Sequence, residues 1–131
     1  MRPSNIVSTK LALYSNDLQS VLVMHYPARA THGLPGGHVE SKEHPDDAIR
    51  RELMEELTLS VDGLKRTDFF LRGVDRGPII LAYTAIAPAD VSIVPTDPDF
   101  EYAQWISKDE LAHTSMSPEY VRFVLQNWPS N

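Results

Sequence analysis

The chain has 131 residues, a formal net charge of −6, 42% apolar residues and no cysteine. That length suffices for one domain with a real core, and the missing cysteine excludes disulfides, a thiol nucleophile and cysteine-based zinc or iron–sulfur sites. The acidic balance argues against a general nucleic-acid binder but leaves room for one small anionic ligand held through a metal. No apolar run approaches a membrane span, and residues 1–10 lack the apolar core of a signal peptide, so no membrane partner and, by default, cytoplasmic residence are expected.

Asn5 to Tyr14 and Gln19 to Tyr26 are rich in Val, Leu and Ile and flank Ser15-Asn16-Asp17, which predicts a β-hairpin. Pro27 to Gly33 is expected as a loop. Leu34 to Glu40 carries Pro35-Gly36-Gly37, where backbone can approach a ligand closely. A helix is predicted from Pro45 to Leu57, with Pro45 in its first turn and Asp46 and Asp47 at the positive end of its dipole. Leu64 to Arg72 predicts a strand on which Phe69 and Phe70 face opposite ways. Gly73 to Pro78 is a loop, and Ile79 to Ala87 is an apolar, central strand. Pro88 to Asp99 is loop-like, and Phe100 to Ser107 is a short strand. Ser107 can cap a helix from Lys108 to His113, with Glu110 in the capping-box position. Ser117-Pro118 opens a last helix to about Trp128, with Val121, Val124, Leu125 and Trp128 expected on its inner face. No repeat, linker or low-complexity segment interrupts this order, which predicts a single α/β layer domain over residues 1–131.

The chemistry concentrates in the Pro45–Leu57 helix. At 100° per residue from Ala48, Ile49, Leu53 and Leu57 fall near about 100°, 140° and 180°, and Glu52, Glu55 and Glu56 near about 40°, 340° and 80°. The carboxylates therefore share a stripe beside the buried face. Like charges at this spacing repel by a few tenths of a kcal/mol per pair. A solvated acidic face and a site for a hard cation such as Mg²⁺ or Mn²⁺ both fit that pattern.

The wider spacing is more specific. Gly37, Glu43 six residues on, Arg51-Glu52-Leu53, Glu55-Glu56 and aliphatic Leu59 together resemble the signature of the Nudix (MutT-like) hydrolases. Thr58 stands where that signature has its last Gly. A β-branched residue is a poor left-handed helix terminator, so the helix is expected either to run on past Thr58 or to close without that motif.

The resemblance implies an α+β fold with a mixed sheet sandwiched between helices, and Mg²⁺- or Mn²⁺-dependent hydrolysis of a nucleoside diphosphate linked to another group. Nucleoside triphosphates, cleaved to a monophosphate and pyrophosphate, are the first expectation; dinucleoside polyphosphates and nucleotide sugars are the alternatives. Glu52, Glu55 and Glu56 match the family's metal positions, with the Gly37 carbonyl as a further ligand and Glu52 or Glu55 as general base. Arg51 and Glu43 match largely structural positions among the catalytic set and are expected to pair. Glu101 is a candidate distal ligand, with Asp97 and Asp99 as rivals. Tyr26, His32, Phe69, Tyr83 and Trp105 are candidates for stacking on a base, and Arg29, Lys42 and Arg76 for touching phosphate. Isomerases of the same scaffold rely on a catalytic cysteine that this chain lacks. A nucleotide-binding sensor without catalysis is the non-enzyme alternative, disfavoured because all the signature glutamates remain. A monomer or homodimer is expected, with a small nucleotide as the partner.

Overall fold

The computed structural model describes residues 6–73, 77–97 and 101–130. Its strands are β1 (Val7–Tyr14), β2 (Ser20–Tyr26), β3 (Thr31–Gly33), β4 (Gly36–His38), β5 (Lys65–Leu71), β6 (Ile79–Ile86) and β7 (Tyr102–Ser107). Its helices are α1 (Pro45–Leu57), α2 (Lys108–Leu111) and α3 (Pro118–Gln126). The strands form a mixed sheet in which β6 runs parallel to β1 and antiparallel to β5. β1 and β2 meet at Tyr14 and Val21, then take different neighbours. The other end of β1 pairs with β4, whereas β2 pairs with β3 and β7. The sheet therefore opens between its two halves at the end where β4 lies.

Alternation along β1 sends Leu11 and Leu13 to one face and Ala12 and Tyr14 to the other. The first face packs on Ile49, Leu53 and Leu57 of α1, and the second on Leu111 of α2 and on Tyr120, Phe123 and Val124 of α3. This is the α+β arrangement expected, a mixed sheet between helices. The Tyr14 hydroxyl donates to the Val124 carbonyl at 2.7 Å and anchors α3. Val121, Val124 and Trp128 meet the core as expected. Large aromatic Tyr120 and Phe123 turn inward with Val124, and Leu125 is left 42% exposed. Trp128 lies beyond the helix end and donates from Nε1 to the Leu18 carbonyl.

The expected loop at Pro27–Gly33 contains structure. A 3₁₀ turn over Pro27–Arg29 ends at Ala30, whose left-handed backbone (φ 50°) turns the chain into β3. Neither Gly nor Asn marks that reversal, so it carries no turn signature. The capping box at Ser107 and Glu110 is present. In β5, Phe70 turns inward and Phe69 outward, 73% exposed. No helix among the described residues is long and apolar enough to cross a membrane.

Helix α1 starts at His44, whose ring accepts from the Asp46 N–H. It stops at Leu57, and Thr58 itself adopts the left-handed conformation (φ 51°, ψ 42°). Both expected alternatives are thus replaced by a third: the termination geometry is kept without the glycine. An L-residue there costs roughly 1–2 kcal/mol. The Thr58 hydroxyl offsets part of it by donating to the Val94 carbonyl at 3.2 Å. Thr58→Gly relieves the backbone and loses the hydroxyl contact, so stability should change by less than about 1 kcal/mol. Thr58→Val keeps the strain and loses the contact, so it should melt below both wild type and Thr58→Gly. The opposite order in thermal melts would overturn this account.

Candidate active site

The acidic stripe of α1 faces strand β4, and two glycines make the approach possible. Gly36 sits at φ +137° with its α-carbon against the Thr9 carbonyl, where a side chain has no room. A Cβ on Gly37 would lie 2.6 Å from both carboxylate oxygens of Glu52, so Glu52 occupies the space that a side chain would take. The Gly36 N–H donates to Glu56 Oε1 at 2.8 Å. The Thr9 hydroxyl donates to the Gly37 carbonyl at 3.1 Å.

Arg51 organises the other side of the stripe. Its Nε and Nη2 donate to Glu43 at 2.8 and 3.0 Å, and Nη2 also donates to the His38 carbonyl at 3.0 Å. Its Nη1 donates to Glu52 at 3.0 Å and to Glu55 at 3.2 Å, a cation between two carboxylates. One planar guanidinium therefore fastens the loop before α1 to the helix. The pair holds the Glu43 carboxyl down at about 2.

Glu56 is in the opposite electrostatic state. Burial pushes its pKa up to about 7, against the pull of the Gly36 N–H and the Lys10 ammonium, with the charges of Glu101 and Glu52 adding to the rise. Glu101 precedes β7 on the neighbouring half of the sheet, and its N–H donates to the Asp97 carbonyl. The fold thus brings Glu101 towards Glu56. As they stand, no three His, Asp or Glu side chains among the described residues converge closely enough to hold an ion. Arg51 holds Glu52 and Glu55 on one side while Glu56 turns to Gly36.

The donor chemistry nevertheless fits a hard divalent cation. The Gly37 carbonyl and the carboxylates of Glu52 and Glu56 offer only oxygen, beside a position that a Cβ would fill. Charge raised onto Glu56 by ionisation lacks a nearby partner beyond Lys10, and a cation supplies one.

Of the expected ligand contacts, Tyr26, Arg29 and His32 line one cleft of about 420 Å³ at the opening of the sheet. The Arg29 guanidinium stacks 4.4 Å over the Tyr26 ring. His32 Nδ1 lies 2.8 Å from the Ser115 hydroxyl. Tyr83 is not brought there. It is 1% exposed in the core on the α1 face, with its hydroxyl donating to Asp46. Trp105 packs against the same core, Phe69 lies on the outer strand β5, and Lys42 sits in an exposed turn. Asp97 is exposed, and Arg76 and Asp99 fall outside the described residues.

Sequence reasoning missed Lys10, Arg72 and Thr96. Lys10 and Arg72 line the cleft with Arg29. Lys10 Nζ lies 3.5 Å from the Gly36 carbonyl, and burial lowers its pKa. A lysine inside the apolar run of β1 was the available signal. Thr96 closes the end of α1: its N–H donates to the Glu56 carbonyl at 2.9 Å and its hydroxyl to the Glu55 carbonyl, while the Val94 N–H serves Leu57 at 2.9 Å. These are carbonyls that a helix end leaves without partners.

An acidic helix stripe is thus clamped by arginine against a glycine strand, on a mixed sheet between helices. The family model described as NUDIX domain matches residues 6–126, so the chain belongs to the NUDIX family. No curated protein sequence matches the chain. Among solved structures, the fold is similar to the MutT protein of Bacillus halodurans (TM-score 0.78, 21% identity, covering 95% of this chain and 83% of that one). It is also similar to the dihydroneopterin triphosphate pyrophosphohydrolase of E. coli (TM-score 0.74, 23% identity, 93% and 94% covered). A third similar structure is the NUDIX domain of Shewanella oneidensis NrtR, complexed with ADP ribose (TM-score 0.79, 17% identity, 95% and 87% covered).

Two measurements follow. A raised carboxyl pKa means that the folded state holds the Glu56 proton more tightly than the unfolded one. In metal-free buffer Glu56 therefore stabilises the fold at low pH, and that contribution is lost as pH rises from about 4.5 to about 7. The difference in melting temperature between wild type and Glu56→Gln should follow that window, with the wild type losing ground as pH rises; a flat difference overturns the assignment. Thr96→Val should lower kcat towards the roughly hundredfold loss of a misplaced catalytic group, with KM little changed, and Thr96→Ser should restore it. Unchanged kcat in the valine variant would remove Thr96 from the site.

Proposed function

We propose that the chain catalyses divalent-metal-dependent attack of water on a phosphorus of a nucleoside diphosphate linked to another group, first of all a nucleoside triphosphate, giving the monophosphate and pyrophosphate. The observation that carries this is the approach of Glu52 and Glu56 to the Gly36-Gly37 backbone, which gathers oxygen donors beside Lys10, a residue that lines the cleft. A substrate with several negative charges needs cations at its phosphates. Mg²⁺ or Mn²⁺, held by the Gly37 carbonyl, Glu52 and Glu56 with Glu101 as a distal carboxylate, would supply that charge and lower the pKa of water. Glu52 or Glu55 takes the proton from the attacking water, and Arg51 positions both carboxylates. Lys10, between Gly36 and the cleft, meets the phosphates. The names of the similar structures, a MutT protein and a triphosphate pyrophosphohydrolase, support this substrate class.

A nucleotide panel read by phosphate and pyrophosphate release, with and without Mg²⁺, tests the reading. Glu55→Gln and Glu56→Gln should keep the fold and lose at least about a hundredfold in turnover, the scale of one strong electrostatic contact in a site. Metal should raise the melting temperature of the wild type, and less so that of Glu56→Gln. Near-normal turnover in both variants, or no metal-dependent shift with saturating nucleotide present, would return the stripe to a solvated acidic face.

A further inference from the structure

The cleft carries more positive charge than a diphosphate at the acidic stripe calls for. Lys10, Arg29 and Arg72 all line it, in a chain whose net charge is −6. Burial lowers the Lys10 pKa first of all, and of the charges around it Glu56 and Glu52 favour its protonation while Arg72 and Arg29 oppose it. Among the described residues, ion pairs involve only Arg51 and His44, so no described carboxylate lies within pairing distance of these three side chains. Like charges gathered without partners cost folding energy, and an anionic ligand offsets that cost.

The three are not equivalent. Lys10 reaches the Gly36 carbonyl and feels Glu56 and Glu52, so it stands at the junction with the stripe. Arg29 follows the 3₁₀ turn after β2, and Arg72 follows β5. Both are exposed and neither is among the charges that shift Glu56. Tyr26, His32 and Tyr120 line the same cleft and supply its uncharged wall. A diphosphate set at Lys10 would leave the arginines to a further negative charge, separated from the diphosphate by an uncharged unit.

We propose that the cleft also binds a third anionic group of a diphosphate ester, a phosphate on one of its sugar units, which Arg29 and Arg72 hold at the rim, and that among substrates with the diphosphate linked to another sugar this phosphate selects the ligand. This rests on the diphosphate lying at the acidic stripe but not on its being hydrolysed. Arginine's planar fork suits a phosphate monoester. Arg29 is held by its stack on Tyr26 and is thereby oriented before the ligand arrives.

The test is calorimetric binding to Glu55→Gln with Mg²⁺ present, so that the probes are held but turnover is suppressed. The probes are ADP-ribose, ADP-ribose phosphorylated on its terminal ribose, and ADP-ribose phosphorylated at the adenosine 2′ position. At least one phosphorylated probe should bind ten times or more tighter than ADP-ribose itself. The gain should fall to less than threefold in the double variant Arg29→Gln, Arg72→Gln and persist in Lys65→Gln, a cation of β5 outside the cleft. Equal binding of all three probes, no binding of any, or a gain that survives the double variant overturns the proposal. Tighter binding of a phosphorylated probe by a chain that cleaves no member of the nucleotide panel would leave this inference standing and sink the hydrolytic reading alone.

Discussion

The site depends on one steric constraint, the absence of a side chain at Gly37. Strand β4 can lie against α1 because the Glu52 carboxylate fills the place where a Cβ would be. Once the two elements touch, Arg51 on the next helical position reaches over the strand to the His38 carbonyl and back to Glu43. Its remaining nitrogen falls between Glu52 and Glu55. Five donors in a rigid plane serve a loop, a strand and a helix at once, which a lysine's single ammonium cannot do. The like-charge repulsion within the stripe is thus partly relieved by the chain itself on the side of Glu55. At Glu56 only the Gly36 N–H and Lys10 relieve it, and burial still raises the carboxyl pKa.

The same contact ties the two halves of the sheet together. β1 and β2 part after Tyr14 and Val21, and β4 fills the free side of β1 where they part. The far side of α1 is held by the chain that returns towards β7. Val94 and Thr96 pair with the last carbonyls of the helix, and five residues later Glu101 opens the approach to β7. The end of α1 and the placement of Glu101 therefore share one set of hydrogen bonds. A backbone carbonyl at a helix end has to find a partner somewhere, and here the partner segment also positions a carboxylate.

The helix was legible because its signals are local. Proline at the start, aspartates in the first turn and an apolar residue every fourth position all act within Pro45–Leu57, and the structure keeps those bounds. The long strands were legible from alternation and apolar runs for the same reason, whereas their order in the sheet was not. Features set by tertiary contact were not legible. Thr58 takes a left-handed conformation that its type disfavours because Val94 accepts its hydroxyl, a partner 36 residues away. Tyr83 suits a base stack by chemistry, but β6 turns it under α1 to Asp46. Two aromatic rings of α3, Tyr120 and Phe123, join Val121 and Val124 on the core and leave Leu125 exposed, which periodicity of the aliphatic residues alone does not pick out. Arg72 is one charged residue at a strand end until the fold brings it to the same cleft as Lys10 and Arg29.

Electrostatics separates this cleft from the rest of the chain. A protein of net charge −6 repels polyanions at long range, and its acidic stripe would do so most strongly. At physiological salt, charges further apart than about 8 Å are largely screened in solvent. Within a cleft that screening weakens, so Lys10, Arg29 and Arg72 govern the field that a ligand meets on entry. Lys10 links the two regions, since Glu56 favours its charge while the arginines oppose it. An anion bound at the rim would relax the opposition and leave Lys10 more firmly charged beside Glu56. That charge in turn favours the ionised carboxylate a divalent cation needs. On the proposed reading, ligand and metal therefore assist each other through one lysine, and the same residue that makes the empty cleft costly couples its two halves when filled.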